Sequence, residues 1–254
     1  ESGTAVFRLT EHTERLDRSC KALGIPVDWT VDELVKASKE LMSLNGLTSG
    51  YIRPLVFYGT GSMGLNPAGA SVHTLIATWE WGAYLGEEGL ANGIRVKVSS
   101  WRRIGQDALM PNAKLTGGYV NSVLAKQEAL RAGYDEAVML NAEGFVAEGS
   151  GENLFVVRDG CIYTPGFGNS ILGGITRDCV LKLAAEQGIE VWQSNIVESL
   201  FLPQGTASLK ELDGKYVADV IEYAHKTTGK KIVVAGDSYA SLSALTGARE
   251  WQQR

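Results

Sequence analysis

Between Pro111 and Phe155 the chain reads PNAKLTGGYVNSVLAKQEALRAGYDEAVMLNAEGFVAEGSGENLF, a stretch with residue types able to act together on one small molecule. Lys114 stands in a short polar loop of small residues, just ahead of Gly117, Gly118 and Tyr119. A lysine that loses solvent as it nears a pocket becomes a weaker base, and its free amine can then add to a carbonyl. Glu148 ends an apolar run and enters the turn Gly149-Ser150-Gly151, where its carboxylate can meet a protonated nitrogen. Beyond it, Gly173-Gly174 precedes an amphipathic segment that Thr176 can cap, and a glycine-led helix start offers backbone amides to an anion. Singly these are an ordinary loop lysine, a strand-end glutamate and a capped helix. Jointly, an amine for an aldehyde, a carboxylate for a ring nitrogen and amides for a phosphate describe pyridoxal 5′-phosphate. The ring of that cofactor is an electron sink for carbanions.

The elements that must position these groups follow from hydrophobic spacing. The chain begins with a strand-like AVFRL, then a helix through EHTERLDRSCKALGI that turns Leu16, Cys20 and Leu23 to one face and ends at Gly24 and Pro26. A second helix, Val31 to Leu44, opens after Thr30 with Asp32 and Glu33 in its first turn. TSGYIRPLVFYG reads as a strand with Arg53 at its middle and Pro54 marking an edge or bulge, and SVHTLIATWEWGAYLG reads as a second strand after a glycine-rich loop. Farther along, IRVKVSSW alternates as a strand, Val120 to Ala132 is a helix stopped by Gly133, and EAVML, GFVAE, NLFVVRDG and CIYTP are strands. Turn signals at Asn141 to Gly144 and at Asp159-Gly160 join them as hairpins. Arg177 to Gln187 is amphipathic, with Val180, Leu181, Leu183 and Ala184 inward. After it the pattern predicts a helix near Tyr216 to His225 and a strand at KKIVVAG. The whole reads as α+β or α/β in two domains: residues 1–88 a small α+β domain, and residues 89–254 a larger cofactor-binding domain.

Composition narrows the function classes. A chain of 254 residues with 44% hydrophobic content can bury a sizeable core. Charged residues are 21% of the total, the net charge is −5, and the two signs are interspersed, which argues against a nucleic-acid surface. Three widely spaced cysteines, Cys20, Cys161 and Cys179, make neither a disulfide framework nor a metal-ligand pattern, and a reducing cytoplasmic setting is expected. The histidines, His12, His73 and His225, lie far from one another, so no metal is expected. No apolar run reaches the roughly 18 residues of a membrane span, so no membrane partner is expected.

The segments EHTERL (11–16), YIRPL (51–55), WEWGAYLG (79–86), SSWRRI (99–104), AKLTGGYVNS (113–122), EGSGENLF (148–155) and GGITRD (173–178) resemble the branched-chain-amino-acid aminotransferases of fold-type IV. The resemblance covers about residues 5–201. It implies a fold like that of D-amino-acid aminotransferase, a small α+β domain beside a larger pseudo-barrel domain. By matching position, Lys114 resembles the lysine that bonds the cofactor aldehyde, Tyr119 the partner of its phenolic oxygen, and Glu148 the partner of its ring nitrogen. Arg15, Gly174, Ile175 and Thr176 resemble phosphate ligands, while Arg53, Trp81 and Tyr84 match substrate-pocket positions. The implied reaction is transamination of leucine, isoleucine and valine with 2-oxoglutarate, in amino-acid biosynthesis, by a homodimer or higher homo-oligomer whose subunits complete each other's pockets. Another fold-type IV enzyme, acting on D-amino acids or amines or resembling aminodeoxychorismate lyase, is the alternative, as is a non-catalytic remnant of this fold.

Two departures accompany the resemblance. The family's N-terminal strands and its VFEGIR-like motif have no counterpart before residue 5, and the residues from 202 to 254 are atypical. Gly205, Thr206 and Ala207 match the family's Gly-Thr-Ala loop, which binds phosphate and substrate carboxylate, after a shortened connection.

Overall fold

The structure is a computed structural model that describes residues 5–61, 63–82, 86–158, 160–197 and 235–236. Tyr84, Gly205, Thr206 and Ala207, and the helix expected near Tyr216 to His225, lie outside the described residues; of KKIVVAG only 235–236 is described, as a strand. The chain forms two compact units, Glu1–Gly82 and Ala83–Arg254.

In the first unit, α1 (Leu9–Ala22) and α2 (Val31–Leu44) accompany the antiparallel pair β1 (Tyr51–Tyr58) and β2 (Val72–Trp79). AVFRL is not a strand: residues 5–8 are irregular, Arg8 stands at φ 46°, and Leu9 is already helical. Arg8 Nε donates to Glu11 Oε1 at 2.7 Å and Thr13 Oγ1 to Leu9 O at 2.8 Å. Such three- and four-residue contacts exist only in a helix, and here they outweigh the β preference of Val6 and Phe7. Leu23, expected inward, is 45% exposed because α1 ends one residue before it. Cys20, Ile25 and Val56 form the buried cluster, with Leu16, Val27, Tyr58 and Val72 packed against it. Thr30 caps α2 as its type predicts: its hydroxyl accepts from Glu33 N at 3.2 Å while Glu33 Oε2 accepts from Thr30 N at 2.8 Å. Pro54 pairs with Ile76 in β1, where a strand with a single described neighbour tolerates a missing N–H.

The second unit opens with α3 (Gly86–Asn92) and β3 (Val96–Val98), and then reaches the helix α4 (Tyr119–Arg131). β3 pairs in parallel with β4 (Glu136–Leu140), and β4 pairs in antiparallel fashion with β5 (Val146–Gly149). The strand expected through Ser99 and Ser100 stops at Val98, because Glu128 of α4 accepts from Ser99 Oγ at 2.7 Å and from Ser100 N at 3.0 Å. All five residues of β4 are buried, so it shows no alternation: Ala137 and Met139 pack with Ala125 and Ala129 of α4, and Val138 and Leu140 with Val146 and Ile196. At the β4–β5 turn, Gly144 takes φ 88° and Asn141 Oδ1 accepts from Phe145 N at 2.8 Å.

NLFVVRDG is two strands rather than one. β6 (Glu152–Asn153) pairs with β10 (Ala235–Gly236), and β7 (Val156–Arg158) makes a hairpin with β8 (Cys161–Thr164). After β8, the helix α5 (Ile175–Glu186) returns the chain to β9 (Val191–Gln193), parallel to β8. α5 starts two residues before the expected Arg177, so Thr176 lies inside its first turn; Gly174 is the N-cap residue and no side chain caps it.

Candidate active site

The lysine and the tyrosine meet because of a tight turn. Thr116–Gly118 forms one 3-10 turn after the Lys114 loop, and α4 begins at once with Tyr119. That brings the phenol back over the lysine: Lys114 Nζ donates to Tyr119 Oη at 2.8 Å and lies 5.3 Å from the ring centroid. Both side chains are half-buried, open enough to receive a ligand.

Glu148 sits near the end of β5 and is 5% exposed. Arg103 Nη2 is 2.8 Å from its Oε1, while Leu172 N and Asn153 Nδ2 donate to Oε2 at 2.9 and 3.1 Å. One guanidinium and two N–H donors thus compensate a carboxylate taken out of water. Arg103 is itself anchored, since its Nη1 donates to Ser122 Oγ of α4 at 3.1 Å and its backbone N to Leu140 O at 2.8 Å.

The turn before α5 is tied to both residues. Gly173 N donates to Asn112 Oδ1 at 3.0 Å, two residues before Lys114, and Asn153 Nδ2 also donates to Leu172 O at 2.9 Å. A Cβ on Gly173 would stand 2.9 Å from Asn112 Oδ1 and 3.3 Å from Phe167 Cε1, so a larger residue here would make those side-chain ends shift. Arg177 secures the other side: its Nη2 donates to Pro165 O at 3.0 Å and Gln193 Oε1 at 2.9 Å, and its guanidinium lies 5.2 Å over the Phe167 ring. Burial lowers its pKa and Asp178 acts in the opposite sense. Ile175 and Thr176 follow as the first residues of α5, the positive end of the helix dipole.

The structure therefore gathers Lys114, Tyr119, Glu148, Gly174, Ile175 and Thr176 in one unit, joined through Asn112, Leu172 and Asn153. Arg15, Arg53 and Trp81 belong to the first unit. Arg15 is 5% exposed on α1 and its Nη2 lies 3.3 Å from His12 Nδ1. The exposed Arg53 guanidinium stands 5.1, 5.3 and 5.9 Å from the rings of Tyr51, Trp79 and Trp81. Those rings also pack on one another with centroids 4.7 to 5.6 Å apart, Trp79 stacked on Trp81 and Tyr51 tilted against both.

Sequence reasoning gave no role to Arg103, Asn153 or Asn112. The adjacent pair Arg102-Arg103 in an otherwise polar connection was the available signal for the first, and nothing in the residue types marks which arginine turns inward. Tyr51 and Trp79 lie in the resembling segments YIRPL and WEWGAYLG, but the sequence gives neither a role of its own. Among the described residues no group of three or more His, Cys, Asp or Glu side chains is arranged to hold a metal ion, and no helix is long and apolar enough to cross a membrane.

An amine hydrogen-bonded to a phenol, a buried carboxylate held by arginine, and a helix start laced to both fit pyridoxal 5′-phosphate by their chemistry. An aldehyde with a phenolic oxygen beside it suits the first pair, and a protonated ring nitrogen suits the second. The arrangement is that of a fold-type IV enzyme using this cofactor. The chain belongs to the family described as amino-transferase class IV, whose model matches residues 2–199. A branched-chain-amino-acid aminotransferase of Pseudomonas aeruginosa is 45% identical over 227 residues, which cover 85% of this chain and 73% of that protein. A putative one of Methanocaldococcus jannaschii is 40% identical over 224 residues, covering 84% and 76%. The solved Escherichia coli branched-chain amino acid aminotransferase superposes with a TM-score of 0.75 at 48% identity over 77% of this chain. A second branched-chain amino acid aminotransferase, from T.th. and solved with pyridoxamine 5′-phosphate, gives 0.71 at 44% identity, also over 77%. The chain spans just under two thirds of these two solved chains, 65% and 63%.

Proposed function

We propose that this protein transfers the amino group of leucine, isoleucine or valine to 2-oxoglutarate, giving a branched 2-oxo acid and glutamate. When bound, pyridoxal 5′-phosphate supplies an aldehyde and a protonated ring that accepts the electron pair released at the substrate Cα. Lys114 would hold the cofactor through its aldehyde carbon, its Nζ being the amine placed for that carbonyl. As a free amine, Lys114 Nζ would serve as the general base that takes the proton from the substrate Cα and would give it back in the reverse direction. Tyr119 Oη, already hydrogen-bonded to Nζ, orients the amine and accompanies the phenolic oxygen. Glu148 holds the proton on the ring nitrogen, and Arg103, Asn153 and the Leu172 amide hold Glu148.

Arg15, Gly174, Ile175 and Thr176, with Gly205 and Thr206, bind the phosphate in this reading. Arg53, Trp81, Tyr84 and Ala207 line the substrate side. The working unit is a homodimer or higher homo-oligomer in the cytoplasm. The observation that carries the reading is the 2.8 Å contact of Lys114 Nζ with Tyr119 Oη in the same unit as the buried Arg103–Glu148 pair. Lys114→Ala removes the near-visible absorbance of the lysine-bound cofactor and lowers turnover by about 10²-fold or more. Full turnover in that variant overturns the assignment. Steady-state assays with leucine, isoleucine, valine, an aromatic donor and a D-amino acid test the substrate; a D-amino acid as best donor replaces this reading with the other fold-type IV activity.

A further inference from the structure

Behind Glu148 lies a buried carboxylate that transamination leaves unused. Glu136, Glu148 and Glu152 are 4%, 5% and 4% exposed. Two of them face cations: Lys126 Nζ of α4 is 2.6 Å from Glu136 Oε2, and Arg103 Nη2 is 2.8 Å from Glu148 Oε1. Glu136 Oε1 also accepts from Ala137 N at 2.7 Å. Among the described residues Glu152 has no such cation. Its Oε2 accepts from Gly151 N at 3.1 Å, and its Oε1 has no hydrogen-bond partner there.

This carboxyl is pressed against the strand that presents Glu148. A Cβ on Gly149 would stand 2.5 Å from Glu152 Oε2 and 3.3 Å from Glu152 O, so only glycine lets β5 pass the side chain that closely. The charged groups that act on Glu152 come from β4 (Glu136), β5 (Glu148) and α4 (Lys126). Among the described residues, an ionised Glu152 would make three buried negative charges against two cations, and a buried charge without a counter-ion is far more costly than a buried neutral acid.

We propose that Glu152 is a positioning residue that works as a neutral carboxylic acid, holding the cluster at two negative charges opposite two cations so that Glu148 is its carboxylate at the end of β5. Its functional meaning rests on the reading that Glu148 faces the ring nitrogen; its protonation does not. Burial is the largest influence on the group, the neighbouring Glu136 and Glu148 carboxylates add to it, and the Gly151 amide and Lys126 only partly offset them. The carboxyl is pushed up to about 8. Below that pH the uncharged side chain lets β5 and β6 pack together; above it a third negative charge turns against Glu148.

The sign follows from proton linkage. The unfolded chain loses this proton near the ordinary glutamate value of about 4.3, and the folded chain keeps it to about 8. The wild type therefore loses stability from this group as pH rises through that window, and the loss levels off above it. Glu152→Gln keeps the shape without the proton. In urea unfolding of the full chain without cofactor, the ratio of the wild-type to the Glu152→Gln unfolding constant should rise by about tenfold per pH unit between pH ~5 and ~7.5.

A ratio that stays flat with pH overturns the proposal. If Glu152→Gln does not fold, infrared spectra of the wild type decide: a protonated-carboxyl band present at neutral pH should vanish by pH ~9.5, and its absence at neutral pH overturns the assignment. In the presence of pyridoxal phosphate, the affinity of the wild type relative to that of Glu152→Gln should fall between pH ~7 and pH ~9. Parallel pH profiles for the two proteins would remove the positioning role. Loss of the transamination reading through Lys114→Ala leaves the cofactor-free titration unaffected, so the two failures are separable.

Discussion

The protein holds a charged side chain in two different ways in its two units. On β1, the exposed Arg53 is surrounded by the faces of Tyr51, Trp79 and Trp81, with a single 3.3 Å hydrogen bond to Tyr51 Oη. On β5, the buried Glu148 is held by a guanidinium, a backbone amide and a side-chain amide within 2.8 to 3.1 Å. Ring faces attract a cation over a broad range of positions, so Arg53 can shift with little loss while it stays near the aromatic surface. Directed donors in a dry setting fix a carboxylate to one orientation. In the proposed reading, a cation that can shift suits ligands of differing size and charge, and a carboxylate that must meet a single ring nitrogen suits the second arrangement.

The sharpest way to break that contrast is to remove the guanidinium behind Glu148. Arg103→Met leaves Glu148 buried without its counter-charge, for which a loss of about 3–5 kcal/mol in the urea unfolding free energy is expected. Replacing both partners, Arg103→Met with Glu148→Gln, should recover part of that loss, because the unpaired charge is gone. A double variant no better than Arg103→Met would mean that the pair is held by its surroundings rather than holding them.

Gly173→Ala probes the same network with a smaller perturbation. The new methyl would meet Asn112 Oδ1 at 2.9 Å, so Asn112 must move and its bond to Gly173 N must lengthen. A loss of about 1 kcal/mol or less is expected, since the exposed side chains of Asn112 and Phe167 can give way. Because Asn112 lies two residues from Lys114, pyridoxal phosphate affinity should fall as well. Unchanged affinity, measured by titrating the near-visible absorbance, would show that the Lys114 loop does not depend on this tie.

What the sequence made legible was local. The start of α2 after Thr30, the turn at Asn141 to Gly144, β1 and β2 as separate strands, and α4 with its stop at Gly133 all depend on residues within a few positions of one another. The resemblance of the Lys114, Tyr119 and Glu148 segments reached the family and the cofactor chemistry, since those segments are short and contiguous. Arg103 with Glu148, Asn112 with Gly173, and Lys126 with Glu136 are partners only after β3, α4 and β4 have come together, so no local spacing announces them. The breaks in the expected strands have the same origin. β3 ends where Glu128 captures two serines, and Asn153 turns its side chain to Glu148 and Leu172 rather than leaving NLFVVRDG one uninterrupted strand. AVFRL failed differently, because its strand preference competes with contacts from residues 11 and 13 that a strand cannot make.

Arg53 gives the smallest stability effect and the clearest test of adaptability. Exposed cation–π contacts contribute about 0.5–1 kcal/mol, so Arg53→Met should change the unfolding free energy by no more than that. Methionine is flexible and packs well on aromatic faces, so the ring cluster of Tyr51, Trp79 and Trp81 should survive, readable as unchanged tryptophan fluorescence. If Arg53 faces the substrate as proposed, the KM for the oxo acid, which carries an extra carboxylate in 2-oxoglutarate, should rise more than the KM for leucine. Lysine at the same position keeps the charge but not the flat guanidinium that lies over three rings. Arg53→Lys should therefore restore oxo-acid KM only in part if ring stacking positions the charge, and fully if charge alone matters. Equal KM values in wild type, Arg53→Met and Arg53→Lys would leave the aromatic box as a stabilising feature of β1 and β2 and confine the chemistry to the rigid site around Glu148.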